Sequence, residues 1–488
     1  MVPPSATATR NVLVLGCSYA GARAAKLLSE TLPSSHRVVV IDRQSHFNHL
    51  YLQPRVSVVP GHAPKVFVPY QNVLGTPASN TAAAATTAAA PPPLAPPKAR
   101  HVFVSAAVTE LHDGYVELDR DLLEHERDLE GDEEEVDRLT AELEHSQLEA
   151  DGTRAKKEAA RRLKWDYLIY ALGCTLPPPL ASVARTKKDG VSFLEAQQAA
   201  IDKASSILIV GGGALGIQYA TDIADLYNNP ANAAHLGEKA ATAGSPPRKK
   251  RITLVHSRDR FMPLYKQEVH DEVMRRMKEL GVDVVLGERP DLGDVKDDKP
   301  GEKRILRLSD GREVEYDLLM RCTGQKPNSQ LMRDFLPGVL DKHGYINVRD
   351  TLQVDLSRVP DQGRYSERVR RNLFAIGDVA NAGVIKAGHT GWNQAGPAVQ
   401  NIMCLIETDA ANAALPPGAP LESPKLVEYE RSPPQIKLTL GLGHSVSELL
   451  PSMDAKETVI KTASDGPVDG HWKVMWEGMG ADPSDVNA

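Results

Sequence analysis

The chain has 488 residues, of which 41% are hydrophobic and 25% are charged, and its formal net charge is −7. A single hydrophobic core rarely grows beyond about 250–300 residues, so the length alone predicts more than one domain. The acidic balance argues against a nucleic-acid binder that relies on a general basic surface, and the ordinary composition excludes wholesale disorder. No apolar run approaches the roughly 20 residues that a transmembrane helix needs.

The four cysteines lie far apart. Cys17, Cys174, Cys322 and Cys404 form neither a CxxC or CxxxxC redox pair nor any spacing of zinc ligands, so no metal site is predicted. A disulfide framework of the secreted kind is also not expected. We therefore expect a cytoplasmic protein, with peripheral attachment to a mitochondrial or lipid-droplet membrane as the alternative.

The first predicted unit is a strand, a turn, a helix and a second strand. Residues 11–16 (NVLVLG) form a continuous apolar run, which is typical of a parallel strand buried on both faces. A helical stretch follows at 22–32, and a second apolar strand is predicted at 37–42 (RVVVID).

The same order recurs in the middle of the chain. A strand at 206–210 (SILIV) runs into a glycine-rich turn, a helix to about residue 227 and a strand at 251–256 (RITLVH). Two units of this kind predict an α/β protein with two Rossmann-like domains, each built on a parallel sheet.

Each turn carries a glycine pattern for binding phosphate. The second reads Gly211-x-Gly213-x-x-Gly216, and the first reads Gly16-x-Ser18-x-x-Gly21 with serine in the middle. Free backbone N–H groups at the positive end of the helix dipole bind a pyrophosphate, and glycines leave room for it. Because a strand precedes and a helix follows each turn, both predict dinucleotide sites.

The residues at the end of the second strand differ between the two units. Asp42 stands 42 − 21 = 21 residues after the last glycine of the first turn, the spacing of a carboxylate that binds ribose. The second unit has Arg258 near this place and no acid, which favours NADPH, because arginine can pair with its additional 2′-phosphate. The alternative is that Arg258 is a solvated loop residue.

A third signal is an apolar strand followed by Gly377 and Asp378, whose carboxylate can accept a hydrogen bond from a ribityl or ribose hydroxyl. Two further strand-to-glycine turns, at 167–173 and 318–324, mark where the chain would cross between two nucleotide-binding domains.

These signals, in this order, resemble the pyridine nucleotide-disulfide oxidoreductase superfamily of flavoproteins. Residues 42–70 and 377–402 are similar to its apoptosis-inducing-factor-like subgroup, which includes AMID and ferroptosis suppressor protein. Fungal-type members of this subgroup resemble the chain most in their sequence motifs. The resemblance implies an FAD-binding domain at 1–200 and 318–409, an inserted NAD(P)H-binding domain at 201–317 and a small C-terminal α+β segment at 425–488.

The resemblance also assigns roles to single residues. Residues implied to hold FAD are Gly16, Ser18, Tyr19, Ala20 and Gly21 at the pyrophosphate, Asp42 at the adenosine ribose, Val108 at the adenine through its backbone, Asp378 at the flavin side, and Arg55. Residues implied to hold the NAD(P)H pyrophosphate are Gly211, Gly213 and Gly216. Lys386, eight residues after Asp378, matches a catalytic lysine beside the isoalloxazine ring.

The activity implied by the resemblance is transfer of hydride from NAD(P)H to FAD and then of two electrons to a quinone-like acceptor. Lys386 would stabilise negative charge on the reduced flavin or on the acceptor. Gln218 departs from relatives, which carry an acid there, and the absence of a redox disulfide excludes disulfide reduction. Two alternatives stay open: a flavin-dependent tailoring oxidoreductase of a small metabolite, and a redox-sensing interaction protein of death signalling.

Several segments allow two interpretations. Residues 76–97 read as a flexible Ala/Thr/Pro loop, and the charged insertion at 119–164 reads either as a solvated helix or as a coiled coil that binds a partner. Trp472 and Trp476 are either core aromatics or a peripheral membrane contact. His389 is either a structural histidine or a proton donor to a quinone.

Overall fold

The computed structural model describes residues 9–70, 72–75, 101–129, 160–236, 249–292, 301–452 and 454–487. The predicted loop at 76–97 and residues 130–159 of the charged insertion lie outside this part of the chain. Two compact units are present: unit 1 comprises 1–44, 71–174 and 327–430, and unit 2 comprises 45–70, 175–326 and 431–488.

Both units contain strands and helices. The strands of the described residues are β1 (Arg10–Leu15), β2 (His36–Asp42), β3 (His46–Asn48), β4 (Phe67–Pro69), β5 (Val102–Ser105), β6 (Val108–Leu111), β7 (Tyr115–Leu118), β8 (Arg162–Lys164), β9 (Tyr167–Tyr170), β10 (Cys174–Thr175), β11 (Ser206–Val210), β12 (Arg251–Val255), β13 (Asp283–Val285), β14 (Arg304–Arg307), β15 (Glu313–Tyr316), β16 (Leu318–Arg321), β17 (Lys326–Pro327), β18 (Ile346–Asn347), β19 (Leu373–Ala375), β20 (Ala380–Asn381), β21 (Ile436–Thr439), β22 (Ser445–Leu449) and β23 (Val459–Ala463). The helices are α1 (Tyr19–Thr31), α2 (Gln53–Val58), α3 (Lys187–Lys203), α4 (Ala214–Asn228), α5 (Gln267–Glu279), α6 (Gln330–Phe335), α7 (Glu367–Arg371), α8 (Gly388–Ala413) and α9 (Trp472–Gly478).

Unit 1 is built on a parallel sheet with the strand order β19-β9-β1-β2-β5. The strands β1 and β9 are apolar on both faces and almost wholly buried, as a covered parallel sheet requires. The small antiparallel sheet β6-β7-β8 packs into the same hydrophobic core, through residues such as Val116 and Leu163.

Unit 2 repeats this design with a parallel sheet in the order β13-β12-β11-β16. Its helix α4 is buried along nearly its whole length, and its core also takes in Leu438, Leu440 and Val446 from the antiparallel sheet β21-β22-β23. The C-terminal segment predicted at 425–488 thus supplies an antiparallel sheet that packs within unit 2.

The predicted α/β class with two Rossmann-like domains is confirmed. In unit 1, Leu15 at the end of β1 pairs with Ile41, and in unit 2 Val210 at the end of β11 pairs with Val255. The two units thus place their turns at equivalent positions relative to the next strand. The first helix begins at Tyr19, three residues before its predicted start, so the turn passes directly into the helix.

The unit boundaries differ from the domain boundaries predicted from the sequence. Residues 45–70 and 175–200 join unit 2, because α2 and α3 contribute Val58 and Ile201 to the core around α4. Strand β16 also belongs there, since it pairs in parallel with β11 and completes that sheet.

None of the helices in the described parts of the chain is both long and apolar enough to span a membrane. In α9, Trp472 and Trp476 are 4% and 0% exposed. The Trp476 ring nitrogen donates to the carbonyl of Lys65 at 2.9 Å, and that of Trp472 donates to Asp469 at 2.9 Å. The structure therefore supports the core interpretation of both tryptophans.

Candidate functional site

In the first turn, two glycines are required by close backbone packing. Gly16 has φ +90°, in the left-handed region, and a Cβ there would lie 2.7 Å from the carbonyl oxygen of Ala171. A Cβ on Gly21 would lie 1.8 Å from the carbonyl oxygen of Gly16. Ser18, the middle residue, is the exposed N-cap of α1. The turn thus approaches the sheet closely at its ends and stays open at its centre.

The second turn has the same construction. Gly211 has φ +118°, and a Cβ there would lie 2.4 Å from the carbonyl oxygen of Cys322. A Cβ on Gly216 would lie 2.0 Å from the oxygen of Gly211, whereas a Cβ on Gly213 would meet no atom of the described residues within 4 Å. The middle position is therefore open in both turns, which explains why serine can replace glycine in the first.

Each turn donates a backbone N–H to a residue at the end of its second strand. In unit 1, Cys17 donates to the Asp42 carboxylate at 2.6 Å, and Gln44 donates to its other oxygen at 2.8 Å. In unit 2, Gly212 donates to Nδ1 of His256 at 3.1 Å. Burial raises the pKa of Asp42, although the two N–H groups lower it. Asp42 thus lies directly beside the first turn and His256 holds the equivalent place in unit 2, while the binding of ribose by Asp42 stays a prediction.

The predicted Gly377–Asp378 turn packs against the first turn of unit 1 through α8. Gly377 has φ +76°, and its N–H donates to Oε1 of Gln394 on α8 at 2.7 Å. A Cβ on Gly377 would lie 3.1 Å from that of Ala20, and one on Gly388 would lie 2.7 Å from the ring of Tyr19. Small residues at these points bring together three segments that the sequence linked to FAD.

Lys386 lies within electrostatic reach of Asp378, and its place beside the isoalloxazine ring stays a prediction. Its Nζ donates to the carbonyl of Ala380 and stands 4.5 Å from the centre of the Tyr345 ring. Burial lowers the pKa of Lys386, while the charge of Asp378 raises it. Burial in turn raises the pKa of Asp378 to about 6, against the effect of Lys386. Tyr345 was not anticipated from the sequence, since only the fold brings its ring to the lysine.

Arg55 has partners that differ from those predicted. Its guanidinium forms a two-point ion pair with Asp222, at 2.8 and 3.0 Å, and both side chains are almost fully buried. It also donates to three backbone carbonyls, those of Gly441, Leu442 and Val468, at 2.8–3.0 Å. These five hydrogen bonds give Arg55 a structural role inside unit 2, and its contact with FAD stays a prediction.

The remaining predicted residues lie as follows. Val108 begins β6 and is half-buried, and Arg258 is exposed two residues after His256. Gln218, where relatives carry an acid, is buried and donates to Thr439 at 2.9 Å. His389 lies in the first turn of α8, where burial lowers its pKa.

The thiol beside the first turn is not activated. Cys17 is fully buried, and burial together with the charge of Asp42 raises its pKa well above the usual value. A thiolate nucleophile is therefore not expected there, and Cys17 acts as a small packing residue.

Both turns fit the phosphates of a dinucleotide. Each presents the N-terminus of a long buried helix, has no side chain larger than serine at its open centre, and is held by glycines that no other residue could replace without a clash. In such a turn, free backbone N–H groups can donate hydrogen bonds to a pyrophosphate, and the positive end of the helix dipole attracts its negative charge. Unit 1 adds the Asp42 acceptor and the Gly377–Asp378 turn, which fit the hydroxyl groups of FAD.

Comparisons with known proteins agree with this geometry. A family model described as pyridine nucleotide-disulphide oxidoreductase matches residues 10–401. The chain is 34% identical over 487 residues to Fe-regulated protein 8 of Mycosarcoma maydis, covering 98% of this chain and 96% of that protein. It is 22% identical to apoptosis-inducing factor homolog B of Dictyostelium discoideum, covering 91% and 90%. The structure of NDH2 from Plasmodium falciparum in complex with NADH matches with a TM-score of 0.58 at 12% identity, covering 96% and 94%.

The chain belongs to the pyridine nucleotide-disulphide oxidoreductase family, whose members bind FAD and a pyridine nucleotide. Within this family it is an apoptosis-inducing-factor-like NAD(P)H-dependent flavin oxidoreductase, as the resemblance of its motifs predicted. The four cysteines form no CxxC or CxxxxC pair in the sequence, which is the spacing expected of the redox disulfide that the family name refers to.

Proposed function

We propose that this protein oxidises NADPH in preference to NADH and passes two electrons to a quinone-like acceptor. The observation that carries the second part is the half-buried ammonium of Lys386, which lies between the Gly377–Asp378 turn and the Tyr345 ring. A positive charge held in a partly dry site stabilises negative charge on a reduced acceptor far more than the same charge in water does.

The residues of each unit have separate tasks in this proposal. FAD, when bound, supplies the chemistry of accepting a hydride and releasing two electrons. The first turn and Asp42 hold its adenosine half, while Asp378 accepts a hydrogen bond on the flavin side. The second turn holds the coenzyme pyrophosphate, and a nicotinamide coenzyme is supported by the NADH that the solved relative carries.

The proposed preference for NADPH is argued from the charges of the residues at the end of β12. Arg258 is exposed there and carries a full positive charge that can pair with a 2′-phosphate. The residue that follows the strand is His256, which brings no negative charge to this position.

The test is a steady-state screen of the purified yellow protein, with NADH and NADPH each assayed against a water-soluble quinone, ferricyanide and oxygen. We expect the quinone to be reduced faster than oxygen, and a higher kcat/KM for NADPH. If both coenzymes bleach the flavin but no quinone accepts the electrons, the protein is an oxidoreductase with another acceptor, such as a small metabolite. If neither coenzyme bleaches the flavin, the proposal fails entirely.

A further inference from the structure

One face of the hairpin formed by β6 and β7 in unit 1 gathers side chains that can bind a metal ion. The two strands pair with Glu110 directly opposite Glu117 and with Leu111 opposite Val116. Leu111 and Val116 are buried in the core, so the alternation of a strand turns the two glutamates to the other face, where His112 joins them. Two like charges thus stand opposite each other across the strands, which is destabilising by itself.

Three donor atoms of this face lie close enough to share one ion. One atom from each of Glu110, His112 and Glu117 lies within 4.8 Å of the other two, and the part of the chain that the structure describes holds no other such group of His, Cys, Asp and Glu. Nε2 of His112 stands 3.0 Å from Oε2 of Glu110, close to the roughly 3 Å between neighbouring ligands that are each about 2.1 Å from one ion. The side chains of His112, Glu110 and Glu117 are 35%, 60% and 22% exposed, so an ion can reach all three from solvent.

Neighbouring residues hold these side chains in position. The His112 ring stacks on Tyr115 with the ring centres 4.4 Å apart and the planes 12° apart. The backbone of His112 is fixed as well, because its N–H donates to the carbonyl of Tyr115 at 2.9 Å and its carbonyl accepts from the ring nitrogen of Trp165 at 3.1 Å. Arg162 donates to Oε1 of Glu117 at 3.0 Å, and a carboxylate has a second oxygen for another partner. Ligands that are oriented by such outer contacts are typical of metal sites.

We propose that Glu110, His112 and Glu117 form a binding site for a divalent transition-metal cation of the Zn²⁺ type, which fastens the two strands of the hairpin. One imidazole nitrogen and two carboxylate oxygens suit Zn²⁺ better than Mg²⁺, which prefers oxygen ligands alone. Because a ligating nitrogen must be unprotonated, the cation takes the place of the proton between His112 and Glu110. It also compensates the like charges that face each other across the strands. The site is independent of the proposed coenzyme and acceptor.

Calorimetric titration of the holoprotein, purified without a histidine tag, measures Zn²⁺ binding, and Mg²⁺ is titrated in parallel. We expect one equivalent of Zn²⁺ to bind with a dissociation constant in the micromolar range, because Arg162 leaves only a single net negative charge around a neutral imidazole. Mg²⁺ should bind at least about 100-fold more weakly. A wild type that binds no Zn²⁺ at about 1 mM overturns the inference.

Two variants each remove one ligand with little change in side-chain shape. Glu110→Gln and His112→Asn are each expected to weaken Zn²⁺ binding at least about tenfold, since the loss of an outer partner of a metal ligand already has an effect of that size. The matched control is His343→Asn, which removes an exposed histidine of the same unit and should leave the affinity unchanged. Equal affinities in the wild type and all three variants would mean an adventitious ion only, bound elsewhere, and would refute the site.

Should either ligand variant not fold, chemical protection of the wild type decides. Diethyl pyrocarbonate modifies accessible imidazoles, and mass spectrometry of the digested protein measures the modification of His112 and of His343 separately. We expect one equivalent of Zn²⁺ to protect His112 and to leave His343 reactive. If His112 is modified at the same rate with and without Zn²⁺, the ion does not bind its imidazole and the inference is wrong.

Discussion

At the residue scale, the glycines of the two turns serve different purposes. Gly16, Gly21, Gly211 and Gly216 are required by the protein itself, because a Cβ at any of them would come within 2.7 Å of a backbone oxygen. Gly213 is different, since it faces open space and has an extended backbone at the N-cap of α4.

This difference predicts opposite results for two substitutions in one turn. Gly216→Ala places a Cβ 2.0 Å from the carbonyl oxygen of Gly211 and is expected to lower the stability of unit 2 by about 1–3 kcal/mol. Gly213→Ser gives the second turn the middle residue of the first, in a cap position that serine favours, so we expect a change within about 0.5 kcal/mol. Thermal unfolding of the two variants compares them, and equal melting temperatures would contradict the interpretation.

Lys386 is expected to act on the acceptor and not on flavin binding. Lys386→Ala should lower quinone turnover by about 10²–10³-fold, the usual effect of removing one positioned electrostatic group. FAD content and the rate of flavin reduction by NADPH should stay near the wild-type values. The matched control is Lys342→Ala, which removes an exposed lysine of the same unit. Full quinone turnover in Lys386→Ala would refute the assignment.

The raised pKa of Asp378 predicts that the stability of the folded protein depends on pH. Its pKa is raised to about 6 in the folded apoprotein, so the folded state holds this proton more tightly than the unfolded state does. Stability from this group is therefore present below about pH 4 and is lost as the pH rises through 6. In the Asp378→Asn variant, this decrease of the free energy of unfolding with rising pH should disappear. Urea unfolding of the apoprotein between pH 4 and 8 measures it, and parallel curves for both proteins would show that Asp378 titrates normally.

At the element scale, one buried ion pair joins segments that are distant in sequence. Arg55 on α2 and Asp222 on α4 are 167 residues apart, and the arginine also binds carbonyls near β21 and β22. Asp225, one turn further along α4, accepts the N–H of Leu442 at 2.8 Å and pairs with Arg276 of α5 at 3.2 Å. Charged groups of α4 thus fix the C-terminal sheet to the core of unit 2.

Removing one partner of the buried pair should cost more than removing both. Arg55→Leu leaves the Asp222 carboxylate buried without its partner, and we expect a loss of about 3–5 kcal/mol. The double variant Arg55→Met, Asp222→Leu should recover much of this loss, because neither charge is then buried. A double-mutant cycle by urea unfolding measures the coupling. Additive single effects would mean that the two side chains act independently.

At the scale of the whole molecule, the charged insertion can be separated from catalysis. The nucleotide-binding turns, Asp42, Asp378 and Lys386 all lie outside residues 130–159. Replacing those residues with a short Gly/Ser linker should leave FAD content and NADPH oxidation unchanged. A partner that binds the full chain but not the shortened one, with activity retained, would support the interaction role considered for this segment. Loss of FAD on shortening would instead show that the insertion is needed for folding of unit 1.

The sequence by itself determined the features that depend on local spacing. A strand, a glycine turn, a helix and the next strand occupy little more than 30 residues in the first unit, and their order alone predicted two nucleotide-binding folds and the position of Asp42. The family follows from the same motifs. Such signals survive in a single sequence because the last glycine of each turn packs against a backbone oxygen within the same turn, Gly21 against Gly16 and Gly216 against Gly211.

Only the tertiary structure decided which distant side chains meet. The segment around Arg55 reads like part of the first nucleotide domain, yet the fold buries its charge against Asp222. His256 became comparable with Asp42 only once the registers of both sheets were known, and Tyr345 came beside Lys386 only through the packing of unit 1. The physical reason is that a buried ion pair or ring contact is selected by three-dimensional packing, which leaves no fixed spacing along the chain.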